Sequence, residues 1–225
     1  MHDNRMTTET LNIDKGQCLT DVLPAIPTNT IFDKTITGCG ATHSEIVNAA
    51  RHSIIIEPNI PVILGKKADH PFLFAVYEGI TKEDVKAYLA GEHDGYRKII
   101  TTPEGFDKKV LPAMHELEIP VYKDYFLLFD ECEKAIQDVG YRGDIYLPVE
   151  DFFKFENKAM VSATPIIPSD PRFEENGFRI LKLVPTYDSR IELTLCMTNN
   201  TVAVMRKLLK RLENETVCVF LNSTE

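Results

Sequence analysis

The sequence predicts an α/β fold in which a mainly parallel sheet is layered between helices. Short apolar runs alternate along the chain with helical patterns, and such alternation implies parallel strands joined by crossover helices. The run YFLLF, residues 125–129, is apolar at every position. A strand covered by helices on both faces has this composition, so we expect this run to lie in the middle of the sheet.

The elements of this fold can be placed in order along the chain. Runs rich in β-branched and aromatic residues predict strands at 30–36, 53–58, 72–78, 97–102, 125–131 and 159–164. Apolar residues at helical spacing predict the helices 43–52, 81–92, 106–118 and 150–156. Each predicted helix follows a strand, which is typical of a doubly wound sheet.

The two ends of the chain differ from this pattern. Residues 1–28 are polar with interspersed prolines, which predicts an N-terminal arm. After Pro165 the alternation stops, and residues 171–198 predict connecting strands. An amphipathic helix with a basic face is predicted at 199–214, and its cations are Arg206, Lys207, Lys210 and Arg211. The strand pattern TVCVFLNST then reaches nearly to Glu225, so we expect another domain to begin there.

Composition limits the class of protein. The chain has 225 residues, 44% of them hydrophobic and 26% charged, and a net charge of -9. These values are typical of a globular protein and argue against an extended basic surface for nucleic acid. The five cysteines form no C-x-x-C pair, which argues against a disulfide framework or a zinc site. No apolar run is long enough for a membrane span or signal peptide, so we expect a cytoplasmic protein without membrane contact.

The stretch TITGCGATHSEI, residues 35–46, could form a phosphate-binding loop. Its small residues Gly38 and Gly40 would allow backbone N–H groups to approach phosphate oxygens. The hydroxyl of Thr42 lies where such loops bind Mg²⁺, whereas Ala41 occupies the position of the usual lysine. On its own, this stretch is more typical of an ordinary glycine turn.

Two later segments carry further polar groups at strand ends. In FLLFDECEK, Asp130 and Glu131 follow an apolar strand, where a carboxylate could hold Mg²⁺ and a second one could orient or deprotonate water. In MVSATP, Ser162 and Thr164 end another apolar strand. Each segment alone could also be a strand end that reaches solvent.

Taken in order, GCGAT, DECE and SATP resemble motifs I, II and III of superfamily 2 (DEAD/DEAH-like) helicases. IIIEPN resembles motif Ia, ITTPEGFD resembles the TPE-type motif, and TVCVFLNST resembles motif IV, which opens the second RecA-like lobe of these proteins. The loop GCGAT is also similar to a variant Walker A motif of phage or mobile-element helicase-like proteins. The resemblance covers nearly the whole chain from residue 28 onward.

The resemblance implies a RecA-like P-loop NTPase lobe with a three-layer fold at 29–170, and a short extension at 199–225 that enters a truncated second lobe. It implies ATP and Mg²⁺ as ligands, single-stranded nucleic acid as a partner, and NTP-dependent remodelling of that nucleic acid by the full-length protein. The implied ATP site comprises Gly38, Cys39, Gly40, Ala41 and Thr42, with Thr42 and Asp130 on Mg²⁺ and Glu131 as the catalytic base. The implied coupling and nucleic-acid contacts are Ser162, Thr164, Pro58, Asn59, Thr102, Pro103 and Glu104.

The missing lysine at position 41 leaves the activity open. Lys34 could reach the phosphates from the preceding strand, or it could be solvated or paired with Asp33. His43 could donate a hydrogen bond to phosphate, or it could be a surface residue. The chain could therefore be a helicase-type ATPase that is weak or inactive by itself. It could instead be a nucleotide-dead scaffold that binds nucleic acid or a partner protein, or an unrelated enzyme of phosphoryl chemistry.

Overall fold

The computed structural model describes residues 6–36, 38–132, 149–164, 170–188 and 197–211. The chain divides into two compact units, Met1–Ser189 and Arg190–Glu225. The strand predicted at 216–224, with its resemblance to motif IV, lies outside the described residues. In the described part of the chain, no helix combines the length and apolar character that crossing a membrane requires.

The first unit is built on one eight-stranded sheet in which every described strand pair is parallel. Its strands are β1 (Thr8–Ile13), β2 (Thr30–Asp33), β3 (His52–Ile56), β4 (Phe74–Val76), β5 (Lys98–Thr101), β6 (Tyr125–Asp130), β7 (Asn157–Ser162) and β8 (Arg179–Pro185). They lie in the order β1-β8-β2-β7-β6-β3-β5-β4. The predicted α/β class is confirmed, and each of the six predicted strands overlaps an observed one.

Helices connect these strands. They are α1 (Leu19–Val22), α2 (Ala41–Val47), α3 (Ile60–Asp69), α4 (Lys82–Ala90), α5 (Pro103–Gly105), α6 (Leu111–Glu116), α7 (Val121–Asp124), α8 (Val149–Lys154) and α9 (Arg172–Glu175). A π-helical turn, Phe106–Val110, joins α5 to α6. The Leu111 N–H donates to the Phe106 carbonyl, five residues earlier, as a π-helical turn requires. Pro112, the next residue, lies in α6 and has no N–H to donate. In the second unit, the described helix is α10 (Thr201–Arg211).

Alternate residues of the central strands enter two hydrophobic clusters, one on each face of the sheet. Along β6, Leu127 and Phe129 belong to one cluster, whereas Phe126 and Leu128 belong to the other. All four side chains are at most 1% exposed. A strand buried on both faces explains why YFLLF is apolar at every position and why the fold has three layers.

The structure adds one strand to those that the sequence predicted, and it places a predicted connecting strand inside the sheet. The segment predicted as an arm contains β1, which forms the edge of the sheet and pairs with β8. The run FRILKLVP, placed among the connecting strands, contains β8, which lies between β1 and β2. An edge strand needs apolar residues on fewer positions, and β1 buries only Ile13 fully. Its composition, TETLNI, is therefore polar enough to resemble an arm.

Candidate nucleotide site

The carboxyl ends of five adjacent strands bring the predicted polar residues to one edge of the sheet. In the parallel register, Asp33 pairs with Ser162 and Asp130 pairs with Val161. Ile56 pairs with Phe129 on one side and with Thr101 on the other. The residues that follow these strands therefore come together at the edge where open α/β sheets bind ligands.

The glycine loop lies between β2 and α2. Gly38 and Gly40 have φ values of 75° and 85°, a region that side chains with a Cβ adopt at a cost. The Cys39 carbonyl accepts a hydrogen bond of 2.8 Å from the Leu19 N–H, which ties the loop to α1. Burial raises the pKa of the Cys39 thiol. Ala41 is 3% exposed and packs in a hydrophobic cluster, so its side-chain position is a core position in this conformation.

Asp130 joins the loop to β2. The Thr42 hydroxyl donates to Asp130 Oδ2, and Lys34 Nζ lies 3.1 Å from Asp130 Oδ1. Burial alone would lower the pKa of the Lys34 ammonium, but the charge and hydrogen bond of Asp130, together with the charges of Glu131 and Cys39, outweigh burial and raise that pKa. The sequence left open whether Lys34 pairs with Asp33. Asp33 Oδ2 lies 3.9 Å from Lys182 Nζ. The ammonium of Lys34 points instead to Asp130, the predicted magnesium carboxylate.

Glu131 is held beside Asp130 in a constrained backbone conformation. Its φ is 49°, and its N–H donates to Asp130 Oδ1 at 2.9 Å. The Asn59 amide donates to Glu131 Oε2 at 3.0 Å. Asn59, predicted to contact nucleic acid, therefore directs its side chain to the predicted catalytic carboxylate.

Glu57 is the residue that the sequence interpretation missed. It follows β3, is 1% exposed, and its Oε1 accepts hydrogen bonds from the Asn59 N–H and side-chain amide. Burial raises the pKa of Glu57 to about 7, and the charges of Asp130 and Glu131 add to the rise. The signal was present in the sequence as a carboxylate directly after the apolar run III, the same arrangement as FLLFD.

His43 is directed elsewhere. Its Nδ1 lies 3.2 Å from Nε2 of His70, which follows α3. Burial lowers the pKa of His43, and the neighbouring His70 and Lys66 lower it further. In this conformation, the contact of the His43 imidazole is with His70 rather than with the Lys34–Asp130 pair.

The SATP segment is tied to the lysine rather than to the carboxylates. Ser162 is fully buried, and its carbonyl accepts a hydrogen bond of 2.9 Å from the Lys34 N–H. Its hydroxyl accepts one of 2.9 Å from the Thr164 N–H. Ser162 therefore fixes the backbone from which Lys34 projects.

The other predicted nucleic-acid residues follow β3 and β5. Pro58 is half-buried in the segment between β3 and α3. The Thr102 hydroxyl caps α5 by accepting from the Gly105 N–H at 3.0 Å, and Pro103 begins that helix. Glu104 is exposed and forms an ion pair of 2.8 Å with Lys108. These loops share the edge with the site, and the described residues 57–59 and 102–104 include no lysine or arginine.

The donor atoms at Thr42 and Asp130 suit Mg²⁺. Among the residues that the structure describes, no group of three or more His, Cys, Asp and Glu side chains is arranged to hold a metal by itself. Mg²⁺ bound with a nucleotide needs only one or two protein oxygens, because phosphates and water complete its shell. The adjacent Thr42 hydroxyl and Asp130 carboxylate supply such oxygens.

Comparison with known proteins supports the fold class. No family model and no curated protein matches the sequence. Among solved structures, the chain is similar to the DUF1998 helicase MrfA, with a TM-score of 0.52 and 12% identity over 83% of this chain and 32% of that one. Two further matches have lower TM-scores. The Hef helicase domain of Pyrococcus furiosus has a TM-score of 0.43 and 13% identity over 81% of this chain and 35% of that one. A hypothetical ATP-dependent RNA helicase of Sulfolobus tokodaii has a TM-score of 0.46 and 14% identity over 69% of this chain and 48% of that one.

The similarity to MrfA supports a RecA-like α/β fold for this chain. The chain spans about a third to a half of the length of these structures.

Proposed function

We propose that the chain is the nucleotide-binding lobe of a helicase-like NTPase that binds ATP with Mg²⁺ at the loop Gly38–Thr42. The observation that carries the proposal is the contact of Lys34 with Asp130, which also accepts the Thr42 hydroxyl. A nucleotide site of this kind combines a lysine and a hydroxyl near the phosphate-binding loop with a carboxylate from the end of another strand. Here the cation comes from the end of β2 instead of from position 41.

Each side chain then has a role in binding. The Lys34 ammonium takes the place of the absent loop lysine and contacts the outer phosphate oxygens, with Gly38, Cys39 and Gly40 providing backbone N–H groups. Thr42 and Asp130 hold Mg²⁺, which when bound neutralises charge on the phosphates. Glu131 orients the attacking water and accepts its proton.

The charge balance at this edge supports a cationic ligand. The charges of Asp130 and Glu131 both act on the buried Glu57 carboxyl, and the ammonium of Lys34 is paired with Asp130. Like charges in a buried setting are costly. A divalent cation between Thr42 and Asp130 would lower this cost and leave Lys34 for the phosphates.

We further propose that the full-length protein uses this lobe to remodel single-stranded nucleic acid, together with a second RecA-like lobe. Pro58, Thr102, Pro103 and Glu104 lie in loops at the same edge and would contact the sugar–phosphate backbone through N–H and hydroxyl groups. Ser162 and Thr164 would couple the two sites through the backbone of Lys34. The GCGAT loop would place the protein with phage or mobile-element helicase-like proteins.

One observation favours a scaffold that binds no nucleotide. Both oxygens of Asp130 already have partners, and Ala41 is buried in the core. If the Lys34–Asp130 ion pair does not open, it blocks the site instead of forming it.

Calorimetric titration with ATP and Mg²⁺ distinguishes the two functions. We expect wild type to bind, and Asp130→Ala to weaken binding by at least about 30-fold, because truncating a buried charged contact costs about 2 kcal/mol or more. Glu104→Gln, an exposed carboxylate at the same edge, is the matched control and should bind as wild type does. Absence of binding by wild type at millimolar ATP would show that the chain is the nucleotide-free scaffold.

A second titration tests the nucleic-acid part of the proposal. Binding of a single-stranded oligonucleotide should weaken as salt rises, because phosphate contacts release counterions. Binding that is absent at low salt would contradict this part and leave the nucleotide site standing.

A further inference from the structure

A single side-chain amide joins two carboxylates that come from neighbouring strands. Asn59 Nδ2 donates to Glu57 Oε1 and to Glu131 Oε2, both at 3.0 Å. The Asn59 N–H also donates to Glu57 Oε1 at 2.8 Å. Because an amide NH₂ carries two hydrogens, both are used, one on each carboxylate.

The helix that begins after Asn59 does not need this amide. Asn59 is the N-cap residue of α3, with φ −104° and ψ 109°, but its side chain makes no capping hydrogen bond. The Asn59 carbonyl accepts from Val62 and Ile63, which anchors the backbone at this position. The side chain is therefore free of a helix-capping role and acts on the carboxylates alone.

The hydrogen bond from Asn59 acts on Glu131 among like charges. Its carboxylate follows Asp130 in the chain and interacts with Glu57, so like charges favour its rotation toward solvent. A hydrogen bond from an amide whose other hydrogen is fixed on buried Glu57 opposes that rotation. Buried Glu57 thus fixes the Asn59 amide, and the Asn59 amide in turn holds the Glu131 carboxylate.

From this geometry we infer that Asn59 is a positioning residue that holds the Glu131 carboxylate in its reactive orientation, with buried Glu57 as the anchor. The inference rests on the proposed function, since it concerns Glu131 as the group that orients water. Asn59 touches neither phosphate nor Mg²⁺ in this role, so it should affect hydrolysis and not nucleotide binding.

The test uses three substitutions in the full chain. Asn59→Ala removes the amide, Asn59→Ser keeps a good N-cap residue without the reach to Glu131, and Asn59→Asp keeps the shape but replaces the donor with a carboxylate. Asn48→Ala, at the C-cap of α2, is the matched asparagine control. For each protein, the Kd for ATP with Mg²⁺ and the single-turnover rate of ATP hydrolysis are measured.

We expect all three Asn59 variants to bind ATP within about two-fold of wild type and to hydrolyse it about 10-fold or more slowly, the usual loss when a partner that orients a reacting group is removed. Asn59→Asp should be the slowest, because it adds a repelling charge. In a Glu131→Gln background, Asn59→Ala should cause no further loss, since the residue acts through Glu131.

The possible failures are distinguishable. Absence of ATP binding by wild type overturns the proposed function and this inference together. Binding without hydrolysis by wild type overturns the inference together with the catalytic role proposed for Glu131, and it leaves the ATP-binding site standing. Asn59 variants that hydrolyse ATP at the wild-type rate overturn the inference alone. An equal loss of binding and of rate would also overturn it, because Asn59 would then belong to the binding contacts.

Discussion

Two buried charged networks lie at opposite ends of the same sheet. At the amino end, Glu45 is fully buried and is contacted by Arg51 at 3.0 Å, by Lys98 at 3.6 Å and by the Ser53 hydroxyl. The guanidinium of Arg51 also lies 3.4 Å from the ring centre of Phe126. One acid thus faces two cations, and each oxygen of the acid has a partner.

At the carboxyl end the balance is reversed. The acids Glu57, Asp130 and Glu131 lie together there, Lys34 is paired with Asp130, and the Asn59 amide donates to Glu57 and Glu131. Among the residues that the structure describes, the first network groups two cations around one acid, whereas the second groups three acids around Lys34 at the edge where parallel sheets bind ligands. The difference separates a network that stabilises the fold from one that is suited to a cationic ligand.

The largest effect on stability is expected from breaking the amino-end network. Arg51→Ala leaves Glu45 buried with an incomplete set of partners, which should lower the free energy of unfolding by about 3–5 kcal/mol. Urea denaturation of the chain measures this loss. Lys108→Ala, which removes the exposed pair with Glu104, is the control and should cost at most about 1 kcal/mol. Equal losses in Arg51→Ala and Lys108→Ala would contradict the claim that the buried network stabilises the fold more than an exposed ion pair does.

The carboxyl-end network should make stability fall with rising pH. The pKa of Glu57 is about 7 in the folded chain, against an ordinary value of 4.5 that applies to the unfolded chain. Between these two pH values the folded state therefore keeps a proton that the unfolded state releases. The stability present below pH 4.5 is lost as pH rises through about 7, by about 3 kcal/mol. Glu57→Gln should remove this loss in urea titrations at several pH values. If Glu57→Gln kept the wild-type dependence of stability on pH, Glu57 would not be the group that causes the loss.

The amino-end network should show the opposite pH dependence, with an effect of at most about 3 kcal/mol. Burial first, and then Arg51, lowers the pKa of Lys98 from 10.5 to about 8, although Glu45 opposes the shift. The unfolded state therefore binds the proton more strongly, and stability rises between pH 8 and 10.5. Lys98→Met should lack this rise when its unfolding is followed over the same range. A rise of equal size in the variant would show that other groups cause it.

The sequence was sufficient for the central strands and insufficient for the contacts at the site. The runs that form β3 and β6 are apolar at successive positions because both faces are covered, so their patterns predicted them. Helix α3 was missed because Pro61 and Gly65 interrupt its pattern, although proline is tolerated in the first turn.

Contacts between distant residues could not be read from local pattern. The sequence identified Lys34 as a candidate phosphate-binding cation. It could not decide whether the Lys34 ammonium pairs with Asp33 or lies near the glycine loop, because that depends on the register of β2 against β7 and β8. Likewise, the direction of the Asn59 side chain follows from the pairing of β3 with β6. Both facts belong to tertiary structure.

The binding of ATP with Mg²⁺ to Lys34→Ala tests the central claim most directly. Lys182→Ala is its matched control, because Lys182 lies at the same end of the sheet, paired with Asp33 in register and 3.9 Å from its carboxylate. If Lys34 replaces the missing loop lysine, its loss should weaken binding by at least about 30-fold, while Lys182→Ala binds within about two-fold of wild type. Binding by Lys34→Ala that equals wild type would contradict the claim.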